Sequence, residues 1–108
     1  EVARRFGDFA LAGAVATLTL DDQGAASDVR VALFGVADRP VRVPEAEQVL
    51  RGERPDDDRI AAAAEAARAA LVDPPSDVHA SAAYRRHVAG VLVGRALREA
   101  RERAQASG

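Results

Sequence analysis

A chain of 108 residues, 48% hydrophobic and 30% charged, can build one hydrophobic core but not two, and it is too apolar for a disordered segment. It has no cysteine, so disulfides, thiolate ligands, iron–sulfur ligation and a cysteine nucleophile are all excluded. The net charge is −2 although all fifteen basic residues are arginine, which argues against a nucleic-acid stripe, and no apolar run approaches the roughly 20 residues of a membrane span.

Aromatics make up only 4%, so the core must come from Val and Leu, with helices packed closely through Ala. Lysine, asparagine and methionine are absent, a bias expected of a GC-rich bacterial genome. A start at Glu1 in mid-pattern, without Met, leads us to expect a piece of a longer chain. Glu1-Val2-Ala3-Arg4-Arg5 does not continue as a signal peptide, which makes the cytoplasm the expected compartment.

In chain order, Ala10 to about Leu20 alternates Val15, Thr17 and Thr19 against Ala14, Ala16, Leu18 and Leu20, the period of a half-buried strand. Asp21-Asp22-Gln23-Gly24 reads as a turn with Gly at the positive-φ position. Val29, Val31 and Leu33 then return as a second, antiparallel strand, Gly35 to Arg39 break it, and Pro40-Val41-Arg42-Val43 suits an edge strand. Pro44 is placed to open a helix that Gly52 ends. A second helix opens at Asp56-Asp57-Asp58, carries Ile60, Ala64, Ala67 and Leu71 at helical spacing, and stops at Pro74-Pro75. Ser81 is positioned to cap a long third helix whose expected buried stripe is Tyr84, Val88, Val91, Leu92 and Ala96. Strands first and helices afterwards predict an α+β fold. We expect a three- to four-stranded antiparallel sheet with about three helices on one face, in a single domain over residues 1–108.

No complete catalytic or metal-binding constellation is legible. His79 and His87 have no companion His or Cys to converge on a metal, and the Asp56–Asp58 run is accounted for by helix capping. Ser76, Asp77 and His79 are too close in sequence to form a nucleophile–base–orienter line. Arg95, Arg98, Arg101 and Arg103, interleaved with Glu99 and Glu102, read as a salt-bridged solvated face. The opening is richer. Arg4-Arg5-Phe6-Gly7-Asp8-Phe9 gathers two guanidiniums, two aromatics and a carboxylate around a glycine just before the first strand. Phe9 could simply seal the core with Asp8 paired to an arginine, or the loop could present a cofactor face.

Four blocks, in order, resemble a known family. They are Arg4-Arg5-Phe6-Gly7-Asp8-Phe9-Ala10, Gly35-Val36 through Pro40-Val41-Arg42, Pro74-Pro75-Ser76-Asp77, and Ser81-Ala82-Ala83-Tyr84-Arg85-Arg86. Together they resemble the C-terminal domain of the FAD-binding (medium) subunit of molybdenum hydroxylases, the family of carbon monoxide dehydrogenase and the xanthine dehydrogenases. The resemblance implies that FAD is held mainly by upstream domains absent from this chain. It implies that Phe9 lies against the isoalloxazine, with Arg4, Arg5 and Asp8 of the same loop nearby. Where some relatives carry Tyr, Phe9 keeps the ring but loses the hydroxyl. Glu1 stands where relatives can have lysine, so no contact is carried over to it. The implied partners are the upstream FAD-binding domains, a molybdenum-cofactor large subunit and a small subunit with 2Fe-2S clusters, with no nucleic acid and no membrane. Electrons would pass from those clusters to the flavin and on to an external acceptor. The competing expectation is a docking or dimerisation module that never touches the cofactor, because fold alone does not decide function.

Overall fold

The computed structural model describes residues 11–35, 41–70 and 79–107. Strand β1 (Leu11–Leu20) and strand β2 (Ala26–Gly35) form a long antiparallel hairpin, and the short β3 (Val41–Arg42) adds to the far side of β2. The hairpin turn is held by Asp21, whose carboxylate accepts the backbone N–H groups of Gln23 at 2.9 Å and Ala25 at 3.0 Å. Gly24 adopts φ +84°, a conformation costly for any residue with a Cβ.

Three helices follow: α1 (Pro44–Leu50), α2 (Asp57–Ala70) and α3 (His79–Ser107). Pro44 begins α1 as its sequence position predicts, because a first-turn N–H has no intrahelical partner to lose. Beyond α1 the chain turns at Gly52 (φ +82°) and pairs with the start of β2. Ala26 donates to the Glu53 carbonyl and Gly52 to the Ala26 carbonyl, each at 2.8 Å. Asp56 caps α2, its side chain accepting the Arg59 N–H at 2.8 Å while its carbonyl accepts that of Ile60 at 2.9 Å. The acidic run is therefore structural, and Asp57 also pairs with Arg101 at 2.8 Å.

The buried residues Ala16, Val29, Val31 and Leu33 of the inner sheet face share one core with Leu50 of α1, Ile60 of α2 and Val93 and Leu97 of α3; α1 and α3 pack on the sheet, and α2 packs on those two helices. Full burial of side chains of this size stabilises by about 1.5–3 kcal/mol each. The architecture is the expected α+β one, with three strands among the described residues.

In α2, Ile60, Ala63 and Ala67 are buried and Ala64 packs partly buried against the core, while Leu71 lies outside the described residues. One expectation about helix faces needs correction. In α3, Val91 is not buried but 46% exposed. The inward stripe is Ala89, Val93, Ala96, Leu97 and Ala100, with Val88 and Leu92 half-buried at its margin, while the side chain of Tyr84 lies outside those described. Both stripes have helical spacing, and the larger side chains favoured the wrong one. Small residues decide instead, because they let α2 approach α3 closely. A Cβ at Gly90 would lie 2.5 Å from Arg68 Cδ, so the arginine stem occupies the space the glycine leaves. Helix α3 also starts at His79, before the expected Ser81 cap.

Candidate functional site

The residues expected to face a cofactor, Arg4, Arg5, Asp8 and Phe9, lie outside the described residues, as do Ser76 and Asp77. Ladder pairing of β1 with β2 extends to Leu11 opposite Gly35, the end at which β2 finishes.

Near that end, Phe34 lies over Gly13 on the face turned away from the helices. Further along the same face, Val15, Thr17, Arg30 and Arg42 rim a shallow depression of about 300 Å³ floored by Ala32. Arg30 pairs with Asp28 at 3.5 Å. Three further depressions on the described surface are likewise open, one between β1 and the end of α3, two around the hairpin tip and the start of α2. None of the described segments is a glycine-rich phosphate loop. Among them no group of three or more potential metal ligands converges.

The strongest electrostatic feature among the described residues joins Arg42, the last residue of the second block, to a carboxylate outside all four blocks. Glu47, at the middle of α1, is 2% exposed. Its Oε2 accepts the Val31 N–H at 2.9 Å and the Arg42 Nε at 3.0 Å, while Oε1 accepts from Arg42 Nη2 at 2.7 Å. The Arg51 guanidinium stands 3.8 Å away. Burial alone would push this carboxyl up. The forked hydrogen bond from Arg42, the Val31 N–H and the two positive charges outweigh it and hold Glu47 below the usual glutamate range. Because the Val43 N–H donates to the Val31 carbonyl at 2.8 Å, the carboxylate takes the place of a strand acceptor in the sheet ladder next to β3. These bonds fasten α1 and β3 to β2.

The arginine-rich end of α3 is likewise partly structural. Arg101 bonds the Pro55 carbonyl at 3.1 Å as well as Asp57, and Arg103 reaches the Ala16 carbonyl on the outer edge of β1 at 3.4 Å. His87 is exposed on the surface of α3. No helix among the described residues is long and apolar enough to cross a membrane.

A hairpin and edge strand backed by three helices define the class, an α+β domain with an antiparallel sheet. The profile of the CO dehydrogenase flavoprotein C-terminal domain matches residues 1–100, and the chain belongs to that family. It is 42% identical over 105 residues to the 6-hydroxypseudooxynicotine dehydrogenase complex subunit alpha of Paenarthrobacter nicotinovorans, covering 97% of this chain and 35% of that protein. Among solved structures, quinoline 2-oxidoreductase from Pseudomonas putida 86 superposes with a TM-score of 0.70 at 32% identity, over 84% of this chain and 31% of that one. A carbon monoxide dehydrogenase from Hydrogenophaga pseudoflava, in a form lacking the Mo-pyranopterin moiety of its molybdenum cofactor, gives 0.66 at 33% identity, over 81% and 30%. The chain thus spans about a third of the length of the relatives it matches.

Proposed function

We propose that this domain completes the flavin site of a molybdenum-hydroxylase medium subunit, forming one wall of an FAD whose pyrophosphate is bound by upstream domains. The observation that carries the reading is family membership over residues 1–100. In this reading the bound flavin supplies the electron transfer between iron–sulfur clusters on a small subunit and an external acceptor. The protein orients and tunes it. Phe9 offers an aromatic face to the isoalloxazine, a contact that contributes about 0.5–1.5 kcal/mol beyond burial. Arg4 and Arg5 supply positive charge that favours an anionic ring, and Asp8 orients an arginine. The molybdenum-cofactor subunit chooses the substrate, so this domain has no part in that choice.

The test is Phe9→Ala in the intact subunit. Flavin retention should weaken, the flavin absorbance band should move, and electron delivery to the acceptor should slow. Single-turnover hydroxylation at molybdenum should be unchanged, and Phe9→Tyr should behave like the parent. A large melting loss with an unchanged flavin spectrum would mean that Phe9 is a core residue and the domain a docking module. The 108-residue chain alone should bind no FAD, which absorbance of the purified protein checks.

A further inference from the structure

Residues paired across an antiparallel ladder put their side chains on the same face of the sheet. Val15 stands opposite Ala32, Thr17 opposite Arg30, and Ala32 also opposite Arg42, while Ala16, Val31 and Leu33 alternate with them. The helices share their core with the second set, so the first set makes the outer face. An antiparallel sheet whose outer face meets water carries polar residues there. This one does so over only half its length. Toward the hairpin tip the outer positions are Thr17, Thr19, Asp28 and Arg30. Toward the other end they are Gly13, Val15, Ala32 and Phe34, without a polar side chain.

The apolar half is also level. A Cβ on Gly13 would lie 2.8 Å from Phe34 Cζ, so the ring lies down in the space the glycine leaves. Beside it Val15 is 52% exposed, at the rim of the 300 Å³ depression floored by Ala32. A level apolar face with one shallow recess suits a further packed layer, and a contiguous patch of this kind marks an interaction site.

The rim charges narrow the choice of occupant. Arg30 pairs with Asp28 at 3.5 Å and Arg42 with Glu47 at 2.7 Å, so both guanidiniums are matched inside the domain. Charge left unmatched at an interface steers a diffusing partner and selects it. A neighbour on the same polypeptide needs no steering, because a short tether holds it at an effective concentration of roughly millimolar. The relatives have such a neighbour: the match takes up 35% of one and 31% of another, which leaves about two-thirds of each polypeptide outside it.

We infer that the apolar half of the outer sheet face, centred on Val15 and Ala32, is the surface on which the upstream part of the same subunit chain packs. This rests on the reading that FAD-binding domains precede this one in the polypeptide, and it adds which face meets them.

The test uses the intact, FAD-loaded subunit. Val15 and Val91 are nearly equally exposed within this domain, at 52% and 46%, and the 108 residues contain no cysteine. Val15→Cys and Val91→Cys therefore report on their surroundings through their rates of alkylation by iodoacetamide, read by peptide mass. Val15→Cys should react roughly tenfold more slowly than Val91→Cys, because a thiol under a packed layer reacts only when that layer opens. In a second arm Thr17, at the rim, is replaced by p-benzoylphenylalanine, which should cross-link on illumination to peptides upstream of Glu1 in the same polypeptide. This arm serves if Val15→Cys does not fold. Alkylation of Val15→Cys as fast as that of Val91→Cys overturns the inference. So does a cross-link to a second copy, to another subunit or within residues 1–108, or no cross-link at all. The flavin band of Phe9→Ala is read alongside. A moved band with fast alkylation of Val15→Cys removes the docking face and leaves the flavin wall standing. An unmoved band with slow alkylation and an upstream cross-link does the reverse.

Discussion

Glu47→Ala should lower the stability of the domain by about 1–3 kcal/mol, because the Val31 N–H would be left buried without an acceptor. For a domain of this size that is a fall in Tm of roughly 5–15 °C. Arg42→Ala should cost less, since its guanidinium is half exposed and water replaces part of what it loses. Glu47→Gln separates charge from shape, because the amide oxygen can still accept from Val31 while the ion pair is gone. The pH dependence follows from the depressed carboxyl of Glu47. The unfolded chain binds this proton near the ordinary glutamate value of about 4.3, the folded one only at lower pH. The charge-dependent stabilisation is therefore complete above that value and is lost as pH falls through the folded pKa. Denaturant melts of the parent and Glu47→Gln should differ most near neutrality and converge in acid. A constant difference between them from neutrality into acid would show that the carboxylate charge contributes nothing.

The second large effect contrasts two valines two residues apart on α3. Val93 is 0% exposed, and Val93→Asp buries an unpaired carboxylate at a cost of several kcal/mol, a large part of the roughly 5–15 kcal/mol that holds most domains together. Loss of the cooperative thermal transition is the expected result. Val91, at 46% exposure, points away from that core, and Val91→Asp should stay within about 0.5 kcal/mol of the parent. Circular dichroism melts of the two variants check the orientation of the helix. Equal destabilisation would mean that α3 is rotated about its axis, with Val91 and Val93 equally inward.

Features confined to short windows are legible in the amino-acid pattern. The alternation in β1 and β2, the positive φ at Gly24, Pro44 at the first position of α1 and the Asp56 cap each depend on residues within about one turn or one hairpin. The family is legible for a different reason. Its four blocks are spread from Arg4 to Arg86, and their order is a property of the chain that needs no folding to be seen. Less legible is the inner face of α3. Its 29 residues are rich enough in Ala and Val that two stripes have apolar spacing, and hydropathy rewards the bulkier one. Close packing rewards the smaller one, since Gly90 and the alanines determine how near α2 can come.

Local chemistry along the chain thus settles the order of strands and helices, the turns and caps, the exclusion of thiol chemistry and the family. Three features arise only when distant elements dock. Glu47 replaces a strand carbonyl beside Val31, sixteen residues away, Phe34 sits in the notch of Gly13, and Val93 rather than Val91 faces the sheet. Each of these depends on which distant atoms come within about 3–4 Å once the hairpin and helices have packed together. A carboxylate, a glycine or a valine in the sequence carries a capacity for several partners. Desolvation and contact in the assembled core select one of them.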